Sequence, residues 1–168
     1  MKIGILGGSF DPAHKGHLAI SKEARKRFKL EKIIWAITKK NPLKAESKTP
    51  ISKKIKDCKK IIGLNSFIKV KFYENIIKSN KTIDLINYFK KNKNIEIFFL
   101  MGADNLISFH KWHKSKLISQ KCNIIVFDRH GYKKNSLKSK TFKRLNNKTL
   151  TFVEFKKVNI SSSQLRKI

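Results

Sequence analysis

Acidic residues are scarce in this 168-residue chain, 11 Asp and Glu against 40 Lys and Arg, for a formal charge of +29. A surface so positive attracts polyanions, so nucleotides, pyrophosphate and nucleic acid are the chemical classes it favours. Arginine is scarce too, at only five residues, and the basic excess is Lys, set among abundant Ile and Asn. Those three residues share codons rich in A and T, so base composition accounts for most of the Lys surplus. A nucleic-acid partner usually needs Arg forks or aromatic stacking platforms and is not expected. Cys58 and Cys122 are the only cysteines. They form no CxxC pair and no disulfide framework, which points to a reducing compartment, the cytoplasm, and to two buried thiols. The run Ile3-Gly4-Ile5-Leu6 is broken too soon by Gly7 and Gly8 to serve as a signal-peptide core. No run approaches the roughly 18 apolar residues of a membrane span, so no membrane partner is expected.

What is present is enough apolar residue, 40%, to fill the core of one domain over residues 1–168. Short runs rich in β-branched and aromatic residues recur at Ile3 to Leu6, Ile33 to Ile37, Phe67 to Phe72, Ile95 to Met101, Asn123 to Phe127 and Leu150 to Phe155, and read as strands. Apolar residues three or four apart predict helices over Leu18 to Phe28, Ile51 to Ile62, Ile83 to Lys91 and Leu106 to Gln120. Strand and helix alternate, so the expected architecture is α/β, a mostly parallel sheet with helices on both faces. The polar stretch Lys133 to Lys148 reads as a solvated surface segment or weak helix. Near the end, the hydroxyls of Ser161, Ser162 and Ser163 precede a short helical pattern and can cap it.

The chemistry concentrates after the first strand, in Gly7-Gly8-Ser9-Phe10-Asp11-Pro12-Ala13-His14-Lys15-Gly16-His17. Two glycines let a backbone approach a ligand closely, and a helix starting near Gly16 or His17 aims unpaired N–H groups at an anion. The segment fits neither the Walker pattern nor GxGxxG. His14 and His17, three apart across a loop-to-helix turn, could meet one phosphate or one metal, or could cap and pack. A metal would want a third ligand, and His110, His113 and His130 form no second motif of that kind, so no protein-held metal is expected.

His14-Lys15-Gly16-His17 resembles the HxGH signature of the adenylyltransferases with a dinucleotide-binding-like fold. The stretch Gly7 to Leu18 is similar, more narrowly, to the bacterial nicotinate mononucleotide adenylyltransferases. The likeness continues, in order, through Asn41-Pro42-Leu43-Lys44, Thr82-Ile83-Asp84, Met101-Gly102-Ala103-Asp104-Asn105-Leu106 with Phe109 to His113, and Ile160-Ser161-Ser162-Ser163-Gln164-Leu165-Arg166. It implies a Rossmann-like, doubly wound fold and transfer of AMP from ATP, carried with Mg²⁺, to nicotinate mononucleotide, without a covalent intermediate. It further implies that Gly7, Gly8, Ser9, Phe10, His14, His17, Gly102, Asp104, Ser161, Ser162 and Arg166 hold ATP, with His14, His17 and Arg166 catalytic and a protonated imidazole offsetting phosphate charge. Asp104 would bind ribose or cap the following helix. Lys44 would hold the mononucleotide phosphate, Trp112 would stack on the pyridine ring unless it is simply core, and the backbone near Thr82 and His113 would hold the carboxylate.

Leu43 and Lys81 depart from the His and the aromatic usual at those places, and Arg129-His130-Gly131 lacks the usual proline. Affinity for the mononucleotide, or the choice of pyridine, could therefore differ. The rivals are transfer to nicotinamide mononucleotide or to 4′-phosphopantetheine, and a basic RNA-binding protein on an inactive scaffold. A homo-oligomer is left open by the sequence.

Overall fold

The computed structural model describes residues 1–39 and 48–155. Six strands, β1 Lys2–Gly8, β2 Lys32–Ile37, β3 Ile68–Lys71, β4 Glu96–Gly102, β5 Asn123–Phe127 and β6 Leu150–Val153, form one sheet. Its order is β3-β2-β1-β4-β5-β6, and every one of these pairings is parallel. All six expected strands are found, with ends displaced by a residue or two. The expected doubly wound architecture is the observed one.

Consecutive buried residues along β1, β2, β4 and β5 explain why these strands read as continuous apolar runs: both faces of the sheet are covered. Ile3, Ile5, Phe99, Ile124 and Val126 face one layer, where they meet Ile83 and Ile86 of α4 (Thr82–Lys90), Leu106 of α5 (Ala103–Ser108) and Ile118 of α6 (Ser115–Lys121). Leu6, Ile33, Trp35, Leu100, Ile125 and Phe127 face the other, against Ala24 of α1 (Lys15–Phe28) and Cys58 and Ile62 of α2 (Ile51–Ile62). Strand order reverses between β1 and β4, and the carboxyl ends of those two strands define the crevice where ligands of open α/β sheets bind.

One expectation is corrected. The helix predicted over Leu106 to Gln120 is broken: α5 passes into a 3₁₀ turn at Phe109–Lys111, Trp112 is extended, and Lys114 is left-handed at φ 54° before α6 begins. The apolar spacing hid the break because both halves bury their faces in the same core, Leu106 and Phe109 on one side and Ile118 on the other. The polar stretch from Lys133, read as a solvated surface segment or weak helix, takes the helical alternative and forms two short helices, α7 Lys133–Leu137 and α8 Lys140–Leu145. Ser136, Ser139, Thr141 and Leu145 are buried there. Ser139 caps α8 through the N–H of Phe142, so hydroxyls that looked like surface composition are structural. One short helix, α3 Glu74–Ile77, has no counterpart among the sequence expectations.

Candidate active site at the ends of β1 and β4

The turn leaving β1 is built around α1. His14 is its N-cap, extended at φ −148°, and the Nδ1 atom of its ring accepts the Gly16 N–H at 3.0 Å. His17, three residues on, returns its own Nδ1 to the His14 N–H at 3.1 Å. The two imidazoles thus form a capping box in which rings replace the usual hydroxyl and carboxylate. No acidic residue lies in the first turn of α1, so the positive end of the helix is left for an anion.

Beneath the pair, Phe10 is buried, stacked on Trp35 with centroids 5.2 Å apart and 4.6 Å from the His17 ring. Phe10 has φ +48°, an arrangement that costs a non-glycine residue about 1–3 kcal/mol and is held by this packing. The Trp35 Nε1–H donates to Ser21 Oγ at 2.8 Å, and the Ser21 hydroxyl donates to the His17 carbonyl at 2.8 Å. This chain ties the first turn of α1 to β2. The Phe10 side chain faces the core, so its backbone is what it can offer a nucleotide.

Both rings are held in the neutral form. Burial and the charge of Arg129 push His14 down to about 4, and burial, the neighbouring His14 and Arg129 hold His17 well below the usual imidazole range. The hydrogen bonds give the same result, because an Nδ1 that accepts a backbone N–H carries no proton. The expected imidazolium is therefore replaced, in the free protein, by two neutral rings with Nε2–H as the remaining donor.

β4 runs beside β1 in parallel register, with Leu6 opposite Leu100, so the turn after Gly102 adjoins the turn after Gly8. Asp104, in the first turn of α5, takes an N–H of Arg129 Nη1 on Oδ2 at 2.8 Å, while its Oδ1 is buried with no hydrogen-bond partner among the described residues. A Cβ on Gly102 would stand 2.7 Å from that Oδ1, so only glycine leaves the carboxylate its place. At Gly7 and Gly8 a Cβ would make ordinary contacts with Phe99 and Phe10, at 3.7 and 3.5 Å, so no atom of the described residues demands glycine there.

On the layer of α4, Thr82 is the first helical residue, and its N–H and that of Ile83 lie in the first turn, where no intrahelical acceptor exists. Trp112 is half-buried, its ring 5.1 Å from Phe109 and edge-on to Phe99 at 6.1 Å, and His113 is exposed. The core reading of Trp112 is thus partly satisfied, and the rest of the ring remains accessible.

The structure brings Gly7, Gly8, Ser9, Phe10, His14, His17, Gly102 and Asp104 to the crevice edge of two adjacent strands. Lys44, Ser161, Ser162 and Arg166 lie outside the described residues. Sequence reasoning missed Arg129, just past β5, whose charge reaches both histidines and whose side chain grips Asp104. It also missed Lys54 of α2, fully buried with Nζ 3.4 Å from the Thr38 carbonyl at the end of β2. Arg129 carried a signal, one of five arginines and placed directly after a strand, whereas Lys54 was one lysine among many.

Residues 5–168 match the family described as cytidylyltransferase-like. The chain belongs to that family. It is 67% identical over 167 residues, covering 99% of this chain and 93% of the relative, to the "Probable nicotinate-nucleotide adenylyltransferase" of Pelagibacter ubique. Two solved structures of the Plasmodium falciparum nicotinic acid mononucleotide adenylyltransferase share its fold. The complex with NaAD superposes with a TM-score of 0.76 at 22% identity, and the complex with APC with 0.78 at 23%, each covering 99% of this chain and 82% of that one. The family likeness read from the HxGH, GADNL and ISSS stretches is borne out. Among the described residues, no helix is long and apolar enough to cross a membrane.

Proposed function

We propose that this member of the family transfers the AMP half of ATP to nicotinate mononucleotide, giving nicotinate adenine dinucleotide and pyrophosphate. A phosphate oxygen of the mononucleotide attacks the α-phosphorus, the bond from that phosphorus to the bridging oxygen breaks, and pyrophosphate leaves with the electron pair. No protein nucleophile is required, so catalysis is positioning and charge stabilisation. The observation that carries the reading is the imidazole capping box, which fixes two Nε2–H donors at the positive end of α1 on the ligand edge of the sheet. Preorganised donors of this kind stabilise charge growing on phosphate oxygens without having to reorient during the reaction.

In this reading, Asp104 receives a ribose hydroxyl, the backbone at Gly7 to Phe10 and Gly102 lines the nucleotide, and Ser161, Ser162 and Arg166 bind the triphosphate. Lys44 takes the mononucleotide phosphate, Trp112 stacks on the pyridine ring, and the backbone near Thr82 and His113 takes its carboxylate. Among the described residues no group of three or more His, Cys, Asp or Glu could hold a metal ion. A Mg²⁺ would enter with ATP, held by phosphate oxygens and water, and would offset charge on the triphosphate. The chain acts as one nucleotidyltransferase domain over residues 1–168. Cys58 and Cys122, both free and buried, support a cytoplasmic setting.

The test is pyrophosphate release from ATP with Mg²⁺ and each of three acceptors: nicotinate mononucleotide, nicotinamide mononucleotide and 4′-phosphopantetheine. The first should give the highest kcat/KM. A higher value with another acceptor would overturn the substrate, and RNA binding without release from any acceptor would overturn the enzyme.

A further inference from the structure

Arg129 stands just beyond β5, on the far side of β4 from the histidine pair, since the sheet runs β1-β4-β5. Its side chain does not turn away to solvent. Its Cδ lies 4.0 Å from where a Cβ on Gly102 would be, so the arginine stem crosses the bare end of β4 toward β1. A Cβ at 102 would press on Asp104 Oδ1, the arginine's anchor, while meeting the arginine stem at ordinary contact distance. The guanidinium is anchored by one donor, Nη1 on Asp104 Oδ2 at 2.8 Å, and the side chain remains 32% exposed. A guanidinium has five N–H donors in a planar fork, so most remain for an oxyanion.

The cleft needs that charge. Each histidine Nδ1 is committed to a backbone N–H, so the pair offers donors and no net charge to a polyphosphate. Lys15, exposed on α1, is the nearest cation in sequence, but it is a flexible point charge that no contact orients among the described residues. Arg129 alone among the described basic residues is held by a carboxylate of the crevice while its field acts on both rings.

We propose that Arg129 is a phosphate-binding residue of the nucleotide site, reaching over Gly102 to contact the triphosphate of ATP and the pyrophosphate product, with Asp104 as its anchor. The inference rests on the nucleotidyltransferase reading above and adds to it the fixed positive charge that the neutral histidine pair does not supply. A second role, in which Arg129 merely orients Asp104 for the ribose, predicts a different ligand dependence and is separated by the test.

The experiment is calorimetric titration of the full chain with two probes, inorganic pyrophosphate in the presence of Mg²⁺ and adenosine, for the wild type, Arg129→Ala, Arg129→Gln and Arg129→Lys. Losing a charge-assisted fork should weaken pyrophosphate about 10- to 100-fold in the Ala and Gln variants. Adenosine should stay within about twofold, and Lys should restore part of the loss. Pyrophosphate affinity unchanged in Arg129→Gln overturns the proposal, as does an equal loss for adenosine. Thermal melts identify a variant that fails to fold, and the Gln and Lys pair then decides the matter. Because these are binding measurements, their failure differs from failure of the functional reading, which would show as a wild-type chain that releases no pyrophosphate.

Discussion

His14 and His17 face each other with ring centroids 3.9 Å apart, and each gives its Nδ1 to a backbone N–H, His17 to that of His14 at 3.1 Å and His14 to that of Gly16 at 3.0 Å. Capping and catalysis, which read as competing explanations of these residues in the sequence, use opposite edges of the same rings. The cap selects the tautomer and the tautomer selects the chemistry: a neutral Nε2–H can donate a hydrogen bond to phosphate but is too weak an acid to transfer its proton. A helix N-terminus and a nearby guanidinium both favour that neutral form.

Nitrogen-selective NMR of the histidines should therefore show His14 and His17 as Nε2–H tautomers in the free protein at pH 7. Neither should titrate near the ordinary value of about 6.5, and His14 should have its midpoint near about 4. Because both folded values are depressed, the unfolded chain binds protons more readily as pH falls below about 6.5. The contribution of the pair to stability is thus complete above about 6.5 and is lost as pH falls toward about 4. Denaturant titrations at pH 7.5 and 5.0 measure this, with the His14→Asn variant separating the pair from other groups. A ring titrating between 6 and 7 in the free protein would contradict the tautomer.

His17→Ala removes a donor and half of the capping box together. Turnover should fall about 100- to 1,000-fold, as for loss of one preorganised donor. The lost cap should cost about 1–2 kcal/mol, a fall of roughly 2–8 °C in Tm. Pyrophosphate release and a thermal melt read the two effects separately. Turnover within tenfold of wild type would remove His17 from the chemistry while leaving its structural role.

Gly102→Ala introduces one methyl group, 2.7 Å from Asp104 Oδ1. The backbone there, at φ −80°, is open to any residue, so the effect is one of space alone. Asp104 must move, and with it the Arg129 pair at 2.8 Å. The KM for ATP should rise about tenfold or more while the KM for the mononucleotide changes little, a loss of about 1.4 kcal/mol in nucleotide binding. Steady-state kinetics with each substrate varied in turn checks this, and an unchanged KM for ATP would mean that the Asp104 carboxylate does not meet the nucleotide.

The strands were legible in the sequence because a doubly covered parallel sheet needs continuous apolar runs, and Ile33 to Ile37 and Asn123 to Phe127 can be little else. His14 and His17 were legible because their spacing brackets a helix start. Their protonation was not, since it depends on which nitrogen meets which backbone N–H, a property of three-dimensional contact. Arg129 acts across two strand positions in a sheet order that local pattern does not encode, so its partner Asp104, 25 residues away in the chain, was visible and it was not. The break at Trp112 escaped for a related reason: Leu106, Phe109 and Trp112 keep a spacing of three up to the residue at which the chain turns, and apolar residues resume at Leu117 and Ile118 of α6.

That break bears on the last prediction. Were the segment a continuous helix, Trp112 would sit one turn beyond Phe109 with its whole ring available for the core. Extended at φ −68° and ψ 146°, it instead leans on Phe109 and Phe99 and stays half-buried, as a stacking platform requires. Trp112→Ala should raise the KM for nicotinate mononucleotide about 10- to 100-fold, the size of one lost aromatic stack, and leave the KM for ATP within about twofold. It should also lower stability by about 2 kcal/mol, below the range for a fully buried Trp because part of the ring is exposed. Trp112→Phe keeps an aromatic face and should recover most of the mononucleotide affinity. A stability loss with both KM values unchanged would make Trp112 a core residue only, and an effect confined to ATP would put the pyridine ring elsewhere.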